Sequence, residues 1–339
     1  MPRQLPRRNL VALALATLAA GAVLTRGCVT APDTHWAAVA PGDHATTAPG
    51  AADRAAPPAI AALPPLPSRK APAKPFGVGV RELSLSRGPD RPLPTTVWYP
   101  DAGPAGGDPQ SGTSPAVGRF PLILLSHGLN GEPEQLAPVA TRWASAGFVV
   151  AAPAYPHTRR EASRFDVLDV VNQPADASYV ISQVLALDGH DGDPLAGRLD
   201  TAAVAATGYS AGGITTTGLL STQRDIRLRA AVVIAGALLG GSYAGPATPV
   251  LFVHGDADPT VAYSGGQAAY QAMRWPKAFL TLEGADHGRY LTPASAGFDP
   301  LVRTTTDFLR WTLYGDTDAK GRLSRDGTLP GTSRWESAL

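Results

Sequence analysis

The stretch TGYSAGG, residues 207–213, sets Ser210 between Gly208 and Gly212 with one residue on either side. In this G-x-S-x-G spacing a serine sits on a sharp strand-to-helix turn, and its hydroxyl projects outward as a nucleophile. A hydroxyl attacks only when a base takes its proton, so a histidine and an acid that orients it must reach the same place. Among seven histidines, His35 and His44 lie in an N-terminal Pro/Ala-rich segment, and His157 and His190 lie in polar loops. His127 and His254 sit in H-G turns, where a structural role fits. His287, in EGADHG (283–288), is the one that follows the acid candidates. The chain order serine, acid, histidine is the one that accompanies such an elbow. The acid comes from HGDADPTV (254–261): Asp258 fits best, in a short turn aimed at His287, with Asp256 as the alternative. Two backbone N–H groups must receive the developing oxyanion. These are Ala211, directly after the nucleophile, and Leu129, in SHGLNG (126–131).

These groups need a scaffold that brings them to one edge. Apolar runs at 120–128, 147–155, 202–210, 229–236, 248–255 and 277–284 read as strands apolar on both faces, hence as a buried, mostly parallel sheet. Two leading strands are expected at 78–86 and 95–100. Candidate helices fall at about 134–145, 174–187, 211–222, 264–274 and 300–314. Alternating strands and helices define a doubly wound α/β fold, in which ligands bind at the carboxyl ends of the strands. The serine, the acid and the histidine all follow predicted strands on that edge. The short connection after the strand at 229–236 leaves no room for a large cap domain, so an open site is expected. The loop at 156–173 is expected to shape the pocket.

Composition narrows the remaining classes. A net charge of +1 gives no electrostatic reason to expect nucleic acid. No dinucleotide fingerprint or P-loop is present, so no organic cofactor is expected. His254, Asp256 and Asp258 do not read as a metal site, because two of them sit inside one turn and no further ligand cluster is visible, and the single cysteine, Cys28, cannot form an intrachain disulfide. Arg3, Arg7 and Arg8 precede an uncharged run from Leu10 to Leu24, the pattern of an export signal over residues 1–28. RRNLV (7–11) resembles a twin-arginine signal, with an ordinary secretory signal as the equal alternative. LTRGC (24–28) resembles a lipobox that would lipidate Cys28 and anchor the chain to a membrane. Arg26 is out of place in it, and an unmodified cysteine is the preferred reading. Residues 29–75 are Ala/Pro-rich and read as a disordered spacer, and 76–339 as the catalytic domain. The mature protein is expected to be secreted or held in the cell envelope.

RPLPTTVWYP, SHGLNG, GYSAGG, HGDADPTV and GADHG together resemble the serine α/β-hydrolases related to platelet-activating-factor acetylhydrolase, the dienelactone-hydrolase-like group and cutinase-like polyester hydrolases. The resemblance covers roughly residues 76–314. It implies an α/β-hydrolase fold with Ser210 as nucleophile, Asp258 as acid, His287 as base, and Leu129 and Ala211 as oxyanion donors. Dienelactone hydrolases carry cysteine at the elbow, so Ser210 points to carboxylesterase chemistry. Polyester hydrolases of this group often carry a disulfide, which one cysteine cannot supply. The expected function is hydrolysis of a small-molecule or polymeric ester through an acyl-enzyme. A cell-surface acyltransferase with the same triad is the alternative within catalysis, and a non-catalytic binding module on a hydrolase scaffold is the alternative outside it.

Overall fold

A computed structural model describes residues 63–66 and 69–339 of the chain. The export signal, Cys28 and most of the spacer lie outside the described residues. The apolar runs form strands because each must bury both faces. In β4 (Phe120–Ser126), Ile123 and Leu125 face one apolar core while Leu122 and Leu124 face the other. The other strands are β1 (Gly77–Ser86), β2 (Pro92–Asp101), β3 (Gln110–Ser111), β5 (Val149–Pro153), β6 (Leu199–Tyr209), β7 (Leu228–Ile234), β8 (Val250–Gly255), β9 (Lys277–Leu282) and β10 (Ser333–Ala338). They make one sheet in the order β10-β9-β8-β7-β6-β4-β5-β2-β1-β3. Pairing is parallel from β5 through β4, β6, β7 and β8 to β9, and antiparallel where β2 joins β5, β1 joins β2 and β10 joins β9.

Helices cover both faces. The helices α1 (Ala137–Ser145) and α5 (Phe298–Tyr314) supply Val139, Trp143, Leu301, Phe308 and Leu309 to one core, which α6 (Thr317–Gly327) extends with Leu323. On the other face lie α2 (Gln173–Ala186), with Ala177, Val180, Ile181 and Val184 at helical spacing, and α4 (Tyr263–Ala272), with Ala269 and Tyr270. The helix α3 (Ala211–Gly218) follows β6 directly. This is the doubly wound α/β-hydrolase architecture. The chain reverses direction across the sheet between β5 and β6, on either side of β4, which opens a crevice at the carboxyl ends of β4 and β6. No cap is inserted between β7 and β8.

Of the expected spacer, residues 29–75, only 63–66 and 69–75 are described. Residues 63–66 and 69–75 are seated on the body: Arg310 Nη2 donates to Pro72 O (3.0 Å), Arg229 Nη1 donates to Pro64 O (2.6 Å), and Arg69 pairs with Asp200. Leu66 and Ala71 pack against the α1/α5 core.

Candidate active site

The elbow is built from what glycine leaves out. A Cβ on Gly208 would lie 2.1 Å from Gly212 O, and one on Gly212 would lie 2.1 Å from Ser126 O. Without side chains there, the chain turns directly from β6 into α3 and packs against β4. Ser210 is held at φ 58°, ψ −120°, a region that side-chain-bearing residues rarely occupy and that costs on the order of 1–3 kcal/mol. Its own N–H is anchored on Ile234 O (2.9 Å). The strain is thus imposed by the neighbours on both sides, and it lifts the hydroxyl off the sheet edge.

Three side chains meet there in a line. Ser210 Oγ lies 2.8 Å from His287 Nε2, and His287 Nδ1 lies 2.7 Å from Asp258 Oδ2. The other Asp258 oxygen, Oδ1, accepts the N–H groups of Thr260 (2.8 Å) and Val261 (2.9 Å). Burial acts to raise the Asp258 pKa, but hydrogen bonds from His254, His287 and the Thr260 N–H outweigh it and hold the group well below the ordinary carboxylate range. An ionised Asp258 only accepts, so His287 carries its proton on Nδ1. That leaves Nε2 bare to accept from the Ser210 hydroxyl. Asp256, the alternative acid, turns away: its Oδ1 accepts Gly284 N–H (2.7 Å) and its Oδ2 faces Arg334 (3.4 Å). Asp286 accepts the N–H groups of Gly288 and Arg289 and so shapes the turn that follows His287. Ser210 is 3% exposed and the His287 side chain 18%, a site open on the imidazole side.

The oxyanion loop lies against the elbow. A Cβ on Gly128 would come within 3.1 Å of Ser210 Cβ, so the β4 loop passes beside the nucleophile. Asn130 N–H is engaged by Thr158 O (2.7 Å) and Gly131 N–H by Gly128 O (3.0 Å). Among the described residues the N–H groups of Leu129 and Ala211 have no hydrogen-bond acceptor, and Ala211 is the first residue of α3. His127 fixes this loop. Buried, it donates from Nδ1 to Gly128 O (2.7 Å), and its Nε2 accepts Tyr155 N–H (3.0 Å). Burial lowers its pKa to about 4, against a smaller opposing effect of the Gly128 carbonyl. Leu129, Val170, Ala211, Ile214, Ala237 and Val261 belong to one apolar cluster at the elbow, which joins the residue after Ser210 to the loop after β4.

Two features were not legible in the motifs. Tyr209 lies against the His287 ring (centroids 5.1 Å apart, planes at 41°), with room made by Gly288, where a Cβ would meet Tyr209 Oη at 2.4 Å. Position x of G-x-S-x-G marks a residue that faces the base, which is the one signal sequence offers. The second is the anchoring of the rim. Arg91 Nη1 and Nη2 donate to Asp169 (2.9 Å each), its Nε donates to Asp176 Oδ1 (2.9 Å), and Arg87 Nε donates to Asp176 (2.7 Å). Gln173 donates to Thr158 (2.6 Å) and accepts from Thr215 of α3. The 156–173 loop is thereby tied to both the elbow helix and the oxyanion loop, with Val170 turned into the cluster and Leu168 and Val171 exposed. Among the described residues no group of three or more His, Cys, Asp or Glu is arranged to hold a metal.

A serine elbow in an α/β-hydrolase sheet, with histidine and aspartate in line behind it, defines a serine hydrolase. The family model for PET hydrolase-like proteins (PETase) matches residues 78–318, and the chain belongs to that family, whose members are carboxylic-ester hydrolases. No curated protein matches the chain.

Proposed function

We propose that this protein is an exported carboxylic-ester hydrolase that works through an acyl-enzyme on Ser210, with His287 as base and Asp258 as its orienting acid. The observation that carries the reading is the unbroken hydrogen-bond line from Ser210 Oγ through both nitrogens of His287 to Asp258. As the hydroxyl attacks an ester carbonyl, its proton passes to His287 Nε2, and the positive ring that forms faces an ionised Asp258. The carbonyl oxygen, now negative, is received by Leu129 N–H and Ala211 N–H, donors with no other acceptor among the described residues. His287 then returns the proton to the departing alcohol oxygen. Water, activated by the same imidazole, attacks the acyl-enzyme and releases the acid. The open imidazole side and the apolar cluster at the elbow, read as the wall for the acyl group, suit a small-molecule ester or the end or bend of a polymeric one. Arg3, Arg7 and Arg8 before an apolar run support export to the cell exterior or envelope, with membrane attachment if Cys28 is lipidated.

The test is hydrolysis of p-nitrophenyl esters from acetate to palmitate by residues 63–339 and by the Ser210→Ala variant. Hydrolysis by the first and none by the second is expected, with the preferred chain length sizing the wall. Equal rates in the two proteins would remove Ser210 from the reaction.

A further inference from the structure

The second buried histidine at this edge, His254, lies within β8, four residues before Asp258, and is 1% exposed. Its Nε2 stands 3.0 Å from Val261 O and 3.3 Å from Asp258 Oδ2. A backbone carbonyl only accepts, so the proton resides on Nε2, and one N–H spans two acceptors with the carbonyl as the nearer arm. The far side of the ring is closed: a Cβ on Gly266 of α4 would lie 2.3 Å from Nδ1, and Tyr263 meets the ring edge-on at 5.9 Å. The imidazole therefore has one orientation.

That orientation completes a closed circuit around the acid. Asp258 Oδ1 holds the N–H groups of Thr260 and Val261, and His254 holds the carbonyl of Val261 together with Oδ2. Oδ2 is also the oxygen that takes His287 Nδ1–H (2.7 Å). One carboxylate oxygen is thus shared between two imidazoles, one from β8 fixed in the core and one from the segment after β9 at the reacting serine. We infer that His254 is a positioning residue for catalysis: its Nε2–H locks the acid loop and shares the Asp258 oxygen that orients His287. This rests on the triad reading given above. Two effects follow. Geometrically, Oδ2 cannot swing away from His287 without leaving His254 behind. Electrostatically, the His254 N–H draws charge from Oδ2 and tempers its pull on the His287 proton. The other groups that face this carboxylate are Asp286 and Tyr290 from the segment after β9 and Tyr209 from the end of β6. None of these three donates to it.

The test compares wild type, His254→Phe, which keeps a ring but removes the N–H, and His254→Gln, whose amide can restore a donor near Nε2. Rates on p-nitrophenyl butyrate are followed across pH, with thermal melts on each protein. His254→Phe is expected to lower kcat on the order of 10- to 100-fold, as a displaced catalytic group does, with KM little changed. With more charge left on Oδ2, the acidic limb of its kcat/KM profile moves to higher pH. His254→Gln recovers most of kcat. Unchanged kcat and profile in His254→Phe, or a Gln variant no better than Phe, overturns the inference. Long-range 15N–1H correlation on histidine-labelled wild type reads the tautomer without any variant: a proton on His254 Nε2 is expected, and one on Nδ1 overturns the inference even if both variants fail to fold. Hydrolysis that survives Ser210→Ala would instead overturn the triad reading itself, which separates the two failures.

Discussion

His127 makes acid a test of the oxyanion loop. In the native protein its Nδ1–H is given to Gly128 O and its Nε2 receives Tyr155 N–H, so a second proton has no place to go without breaking the link to Tyr155. Its pKa falls from 6.5 to about 4. Because the folded value lies below the unfolded one, the unfolded chain binds more protons between those limits. Stability is therefore full above about pH 6.5, falls as pH drops through the window, and stops falling below about 4. Linkage over that interval gives a loss of about 3 kcal/mol on going from neutral pH to pH 4. Asp258, whose folded pKa is depressed from 3.8, contributes stability that is lost only as pH falls below about 4, so its loss adds little inside this window. The perturbation is His127→Gln, which cannot titrate. Urea unfolding followed by tryptophan fluorescence at neutral pH and near pH 4 gives a pH-dependent loss for each protein. Any fixed cost of the substitution cancels in that difference. The wild-type loss should exceed the variant's by about 3 kcal/mol. Equal losses would refute the placement of a buried, singly protonated His127 at the root of the loop.

Three further outcomes are expected. Ser210→Gly should be more stable than Ser210→Ala by about 1 kcal/mol in denaturant unfolding, because only glycine relieves the backbone at φ 58°; a less stable glycine variant would mean the elbow is unstrained. Asp258→Asn should reduce kcat on the order of 10⁴-fold on p-nitrophenyl butyrate, since an amide can hold the ring in the tautomer that cannot take the Ser210 proton; a loss below tenfold would assign the acid elsewhere. Arg91→Ala leaves Asp169 without its cation and Asp176 with Arg87 alone, and should cost about 3 kcal/mol in unfolding, with a raised KM as the rim loosens. Unchanged stability and KM would show that the rim does not depend on this network.

Much of this arrangement is written in the chain at short range. The parallel strands are legible because strands buried on both faces must be nearly continuous apolar runs, as FPLILL and VLFV are. Ser210 is legible because a tight strand-to-helix turn demands glycine at 208 and 212. The choice between Asp256 and Asp258 is not settled by spacing, since it depends on which carboxylate the turn folds inward, and that follows from the Thr260 and Val261 N–H groups closing on Oδ1. The elements missing from the sequence reading are polar ones. β10 (SRWESA) is an edge strand with one buried residue, β3 is two exposed residues, and α6 (TDAKGRLSRDG) buries only Ala319, Leu323 and Gly327. Their order comes from pairing and capping, including Asp316 accepting Ala319 N–H (2.9 Å), rather than from an apolar period. His127 and His254 were readable as structural histidines. What they structure, the oxyanion loop and the acid loop, depends on partners 28 and 7 residues away that no local pattern announces.

Covalent capture tests most directly whether Ser210 is the group acylated during turnover. Diethyl p-nitrophenyl phosphate, incubated with residues 63–339, should transfer one diethylphosphoryl group to the protein, located on the 210 hydroxyl by peptide mass spectrometry. Ester hydrolysis should disappear in proportion to labelling. A label on another residue, or hydrolysis that continues in fully labelled protein, would contradict the account.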